Sequence, residues 1–187
     1  MKIDKQVSLA LLVQCTIFAL GNIIFINPIH LKFEGSLSII NLDPSEIGTA
    51  LFLSTGLSII GPLSASALAS KVKRGIPVCL ALAVQLLVVL SFQGEMTWAG
   101  FAIRAILFQT AWNFTGPFLM GMIATMDNTG KFSALIPASQ LGGIAIGQAI
   151  IASLVQGNNL ALINYFCGAV IFLSALIFIF VSGKTNN

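Results

Sequence analysis

Charged residues are scarce in this chain. Lysine, arginine, aspartate and glutamate make up 8% of its 187 residues, against roughly a quarter in an ordinary soluble domain. So little charge beside 57% hydrophobic residues excludes a soluble fold, because a chain this short cannot hide that much apolar surface from water. The formal charge of +3 is too small and too scattered for nucleic-acid binding. Histidine occurs once, at His30, so no histidine-based metal site is expected within the chain. Cys15, Cys79 and Cys167 lie far apart inside apolar runs, with no CxxC spacing. They read as small core residues rather than as metal ligands or a disulfide. Glu34, Asp43, Glu46, Glu95 and Asp127 all fall at the ends of apolar runs or between them. No carboxylate for proton coupling is therefore visible at membrane depth. HExxH, a nucleophile elbow and a phosphate loop are also missing, so neither an enzyme nor a cofactor is expected.

What is present is a succession of apolar runs, several of about 18 residues or more, and each of those can cross a hydrocarbon core of about 30 Å. The expected spans are 7–29, 47–70, 76–92, 97–126, 132–155 and 160–181, forming one transmembrane domain over 1–187. The charged start before Val7 resembles a signal peptide. The run that follows is longer than a typical apolar signal core and lacks a clear small-residue cleavage site, so it is read as a span. Asp43-Pro44-Ser45-Glu46 is a strong helix start: Asp43 can cap free amides, Pro44 suits the first helical position, and Glu46 can reach back.

Lysine and arginine divide unequally between the two sets of loops. Lys2, Lys5, Lys71, Lys73, Arg74, Lys131 and Lys184 share one side, and Lys32 stands alone on the other. The positive-inside rule then places both termini and the basic loop Lys71-Val72-Lys73-Arg74 in the cytoplasm of a cell membrane. The first, second, fourth and fifth spans carry polar or small-residue faces, while the third and sixth are nearly all aliphatic. That rhythm predicts six transmembrane helices arranged as two inverted three-helix repeats.

Side chains able to hold a solute are Gln14, Asn22, Gln109, Asn113, Gln140 and Gln148. Each could equally bond to a neighbouring helix, but several spans bring one, as the lining of a cavity requires. Arg104 is the one charge well inside a span; it can snorkel to the outer headgroups or bind an anionic group. Bending is expected at Gly61-Pro62 and Gly116-Pro117, where a proline removes a backbone hydrogen bond, and in the stretch holding Gly143 and Gly147. That glycine pair also matches a helix-contact motif. Ala50, Ser54, Ser58, Pro62, Ser66 and Ser70 recur every four residues, a stripe that suits close helix packing or a solute-facing wall. Asn113-Phe114-Thr115 matches a glycosylation pattern, but at a depth no glycosyltransferase reaches.

Three stretches resemble a known family. DPSEIGTALFLSTGLSIIGPLSASALASKVKRG is similar to its helix followed by a basic loop, with Ser66, Ser70 and Lys73 where the loop signature has glycine, acid and glycine. WNFTGPFLMGMIATMDNTGKFSALIPA resembles its tenth helix, short loop and eleventh helix. GGIAIGQA resembles its glycine-rich element, with Gln148 where proline is common. The chain resembles the C-terminal six-helix half of a major facilitator superfamily transporter. The resemblance implies small-solute transport by alternating access through a cavity between two such halves. Half a cavity cannot alternate alone, so the chain is expected to be a truncated or split transporter half, or to pair with another copy or another half. A non-transporting assembly subunit, with small-residue faces used only for packing, and an inactive fragment are the alternatives.

Overall fold

The computed structural model describes residues 42–72, 75–92, 96–127, 130–156 and 160–185, which are helical with no strand among them. The first expected span, with Gln14 and Asn22, lies outside the described residues, as do Lys73 and Arg74 of the basic loop. The helices are α1 (Pro44–Leu57), α2 (Ile60–Leu68), α3 (Gly75–Leu90), α4 (Trp98–Met126), α5 (Lys131–Gln156) and α6 (Leu160–Thr185).

α1 starts with Pro44 in its first turn, and the Glu46 carboxylate accepts the Asp43 backbone N–H at 2.9 Å. Pro44 has no N–H to leave orphaned, and Glu46 satisfies a donor that the helix itself cannot. The break between α1 and α2 has an equally local cause. Pro62 cannot donate to the carbonyl of Ser58, so that carbonyl accepts the Gly61 N–H instead, in a tighter i→i+3 turn.

Helix directions follow from a few contacts. The Trp98 indole N–H donates to the Glu46 carbonyl, and further along Asn113 meets Ser58, so α4 runs parallel to α1 and α2. Phe92 stacks edge-on against Phe101 with ring centroids 6.0 Å apart, which makes α3 antiparallel to α4. A β-carbon on Gly75 would lie beside Ser182, and one on Gly168 beside Leu90 and Leu86, so α6 runs back along α3. At the far end of that pair, the Asn164 amide donates to the Phe92 carbonyl. These directions bring Lys71, Lys131 and Lys184 to one end of the bundle and Glu46, Trp98 and Arg104 toward the other.

α4 is the central helix of the described bundle, packed on α1, α2 and α3. It buries Phe101, Ala105, Phe108, Ala111, Thr115, Leu119 and Ile123, spaced three or four residues apart on one helical stripe. The outward faces are apolar too: Phe52 is 78% exposed and Leu87 68%. A water-soluble monomer does not carry so much apolar surface outside.

Six transmembrane helices in two inverted three-helix repeats were the expectation, and the structure corrects it. Among the described residues, three stretches are long and apolar enough to cross a membrane: Pro44–Leu68, Lys131–Leu154 and Leu162–Ser182. They mark the chain as a membrane protein. α3 has 16 residues and is about 24 Å long, short of the roughly 30 Å core. α4 has 29 residues, but Arg104, Gln109 and Asn113 dilute its apolar character. The compositional rhythm along the chain recorded polarity, not span length, and so overcounted spans.

The α4–α5 turn has its own capping device. Gly130 takes a positive φ of 71°, which a glycine adopts without steric cost. This turns the chain so that the Asp127 carboxylate accepts the Ser133 N–H at 2.7 Å. An acid at a helix start satisfies a free amide and meets the positive end of the helix dipole. Asp127→Ala should lower stability by about 1–2 kcal/mol, measured by thermal unfolding in detergent micelles, and Asp127→Asn should retain most of it. Equal stability of all three proteins would show that the cap is idle.

Candidate functional site

One polar pair of the long helices, Ser58 and Asn113, lies where α1 breaks into α2. The small-residue stripe predicts burial every four residues. Ala50, Ser54 and Ser58 are buried, but the buried positions then step by three to Gly61 and on to Ala65, leaving Ser66 and Ser70 exposed. The tight turn before Pro62 rotates the helix and so changes which residues meet α4. The serines do not need partners across the interface: Ser54 and Ser58 donate to Leu51 and Thr55 carbonyls in their own helix.

At this break α4 comes very close. A β-carbon on Gly61 would stand 2.5 Å from the Thr110 carbonyl oxygen and 2.8 Å from the Phe114 nitrogen. Both are backbone atoms that cannot swing aside. Three residues earlier, the Asn113 amide donates to Ser58 Oγ at 2.7 Å. Ser58 is 14 residues past Pro44, and Asn113 is 15 past Trp98, so both sit about 21–23 Å from those helix starts at 1.5 Å per residue. A polar pair and a helix break share one level, near the middle of the Pro44–Leu68 stretch and of α4.

The other sequence-predicted residues are placed differently. Gln109, one turn before Asn113, is half-buried beside the α4 packing stripe, as is Gly116, and Pro117 is exposed. α4 continues through Pro117 without a break, and α5 continues through Pro137. Gln140 is half-buried and Gln148 exposed, while Gly143 and Gly147 are buried on the same α5 face as Ile136 and Ile151. Arg104 is engaged near the end of the bundle: its Nε donates to Ser91 Oγ at 2.9 Å and its Nη1 to the Gly100 carbonyl at 3.0 Å. It pins the end of α3 to the first turn of α4, well away from the Asn113 level.

One residue matters more than its sequence signal suggested. Gln85 is the polar exception in aliphatic α3. It is fully buried, and neither its amide nitrogen nor its carbonyl oxygen has a hydrogen-bond partner among the described residues. Buried amides are nearly always satisfied, and the pattern of α3 alone cannot show what a neighbouring helix leaves unmet. No family model and no curated protein matches the chain.

Two substitutions probe this geometry. Gly61→Ala should force α2 away from α4 and cost about 1–3 kcal/mol, the usual penalty of overpacking, read as a lower unfolding temperature in micelles. Gln85→Met removes an unpaired buried amide at similar volume, so the unfolding temperature should rise, by an amount corresponding to about 1 kcal/mol or more. A drop on Gln85→Met would show that the amide is satisfied in the folded protein.

Proposed function

We propose that the chain forms one wall of a pathway that carries a small polar solute across a cell membrane by alternating access. The observation that carries this reading is the Ser58–Asn113 pair, set beside the α1–α2 break at mid-helix depth. Membrane transporters bind solute near the midplane, where helices are interrupted and backbone groups are released from helical pairing. Gln109, one turn from Asn113, extends the same polar strip. The resemblance to the major facilitator superfamily supports the reading, and on that resemblance the partner is a second helical half that completes the cavity. Lys71, Lys131 and Lys184 at one end of the bundle support a cytoplasmic placement for that end. This wall supplies neutral amides and hydroxyls, so any coupling acid comes from elsewhere in the assembly.

Accessibility separates this reading from a packing-only subunit. In a chain with Cys15, Cys79 and Cys167 changed to alanine, Asn113→Cys should react with a water-soluble maleimide in membranes, and Phe52→Cys on the apolar outer face should not. An unreactive Cys at position 113 would mean that the pair is sealed within a packed interface and that no aqueous path reaches it. Asn113→Ala should cost only about 0.6 kcal/mol of stability, the scale of interhelical hydrogen bonds in membranes. Uptake of a panel of sugars, neutral amino acids and nucleosides into proteoliposomes should show at least one substrate that this variant loses.

A further inference from the structure

A groove of about 540 Å³ runs between α2, α3 and α4, from Leu68 and Val72 up to Ile60 and Phe114, which lie near Ser58 and Asn113 in the chain. It exists because small residues, Ala81 on α3 and Ala111 on α4, form its floor, while longer aliphatic chains stand up around them. Thr110 is the one residue with a side-chain polar atom in its lining, so water entering it would find almost no hydrogen-bond partners. Its rim residues Ile60, Leu80 and Leu107 are 56%, 64% and 48% exposed. The groove therefore opens sideways, onto the same outward apolar surface that a bilayer would cover.

One end of the groove is chemically different. Leu68, Val72 and Ile76 line it there, and the chain between them carries Lys71, whose backbone N–H is held by the Leu68 carbonyl at 2.9 Å. Lys71 is exposed and has no ion-pair partner among the described residues. Lys73 and Arg74 follow it directly in the chain, and no acid occurs between Glu46 and Glu95. From Ile76 to Val84 the lining follows α3 for eight residues, about 12 Å, against about 15 Å for one leaflet of the hydrocarbon core. A greasy slot of nearly one-leaflet depth, open to lipid and ending beside the exposed Lys71, matches one molecule: a lipid with an acidic headgroup.

We propose that this groove holds one acyl chain of an anionic phospholipid whose phosphate rests against Lys71. The acyl chain covers apolar surface that no helix of the described bundle reaches, and the basic end selects the headgroup. The site depends only on membrane insertion and is independent of the transport reading.

Native mass spectrometry of the purified, delipidated full chain tests this with added dioleoylphosphatidylglycerol or dioleoylphosphatidylcholine. The unsubstituted protein should retain one phosphatidylglycerol at least about fivefold more tightly than phosphatidylcholine, the effect of a single basic residue at a membrane surface. Lys71→Gln should lower that preference by about the same factor while leaving lipid binding detectable. Val84→Trp, which fills the groove, should lose both lipids. Leu80→Trp at the rim should do the same and serves if the first variant fails to fold. Equal retention of the two lipids by the unsubstituted protein, or undiminished retention by the tryptophan variants, overturns the proposal. So does a dimer of the chain that Val84→Trp dissociates while lipid retention is unchanged, because the groove would then be a subunit contact.

Discussion

Everything in the described bundle depends on how closely α2 can approach α4. Gly61 sits against the Thr110 carbonyl and the Phe114 backbone nitrogen at distances that leave no room for a β-carbon. In a bilayer, helices are not driven together by the hydrophobic effect, since lipid tails are as apolar as leucine, and association rests on close packing and interhelical hydrogen bonds. The Gly61 contact supplies the first, and it sets Asn113 within reach of Ser58 for the second. Pro62 belongs to the same unit, because its missing N–H creates the turn that rotates Gly61 into the interface.

The exposed faces obey a different solvent. Phe52, Leu80 and Leu87 on the outside would drive aggregation in water and are neutral against lipid. Polar groups are correspondingly expensive within the helices, and among the described residues nearly every buried one is accounted for. Serines bond back to their own helix, Arg104 ties Ser91 to the first turn of α4, and Asn164 reaches the Phe92 carbonyl. Gln85 stands out against that order because its amide is buried without a partner among the described residues.

The polar residues divide into two groups by what they do for the fold. Arg104, Asn164 and the Trp98 indole act as clasps near the bundle end opposite Lys71, fixing where helices start and stop relative to one another. Ser58 and Asn113 lie about halfway along the Pro44–Leu68 stretch and α4, away from both ends of the bundle. A polar pair at that level, beside a broken helix, is the arrangement from which a solute path can be built.

Local chemistry was legible directly from the residues. The α1 start at Asp43-Pro44-Ser45-Glu46 could be read because caps involve residues three apart, and the membrane class could be read because apolar composition leaves no soluble alternative. The amide and proline positions were visible too, but their roles were not. Pro62 coincides with a helix break and Pro117 does not, because neighbouring packing decides whether a lost hydrogen bond interrupts a helix. Arg104 could have bound an anion by its sequence alone, and only the contact with Ser91, 13 residues away just past the end of α3, shows what engages it. The six expected spans failed for a related reason: alternating polarity says which face a helix presents and does not say how far it extends. The sequence by itself determined the solvent, the helix starts and the residue types at mid-helix. Which of those residues meet was decided by tertiary structure, because it depends on a three-residue step at Ser58–Gly61 and on an approach distance that one missing β-carbon permits.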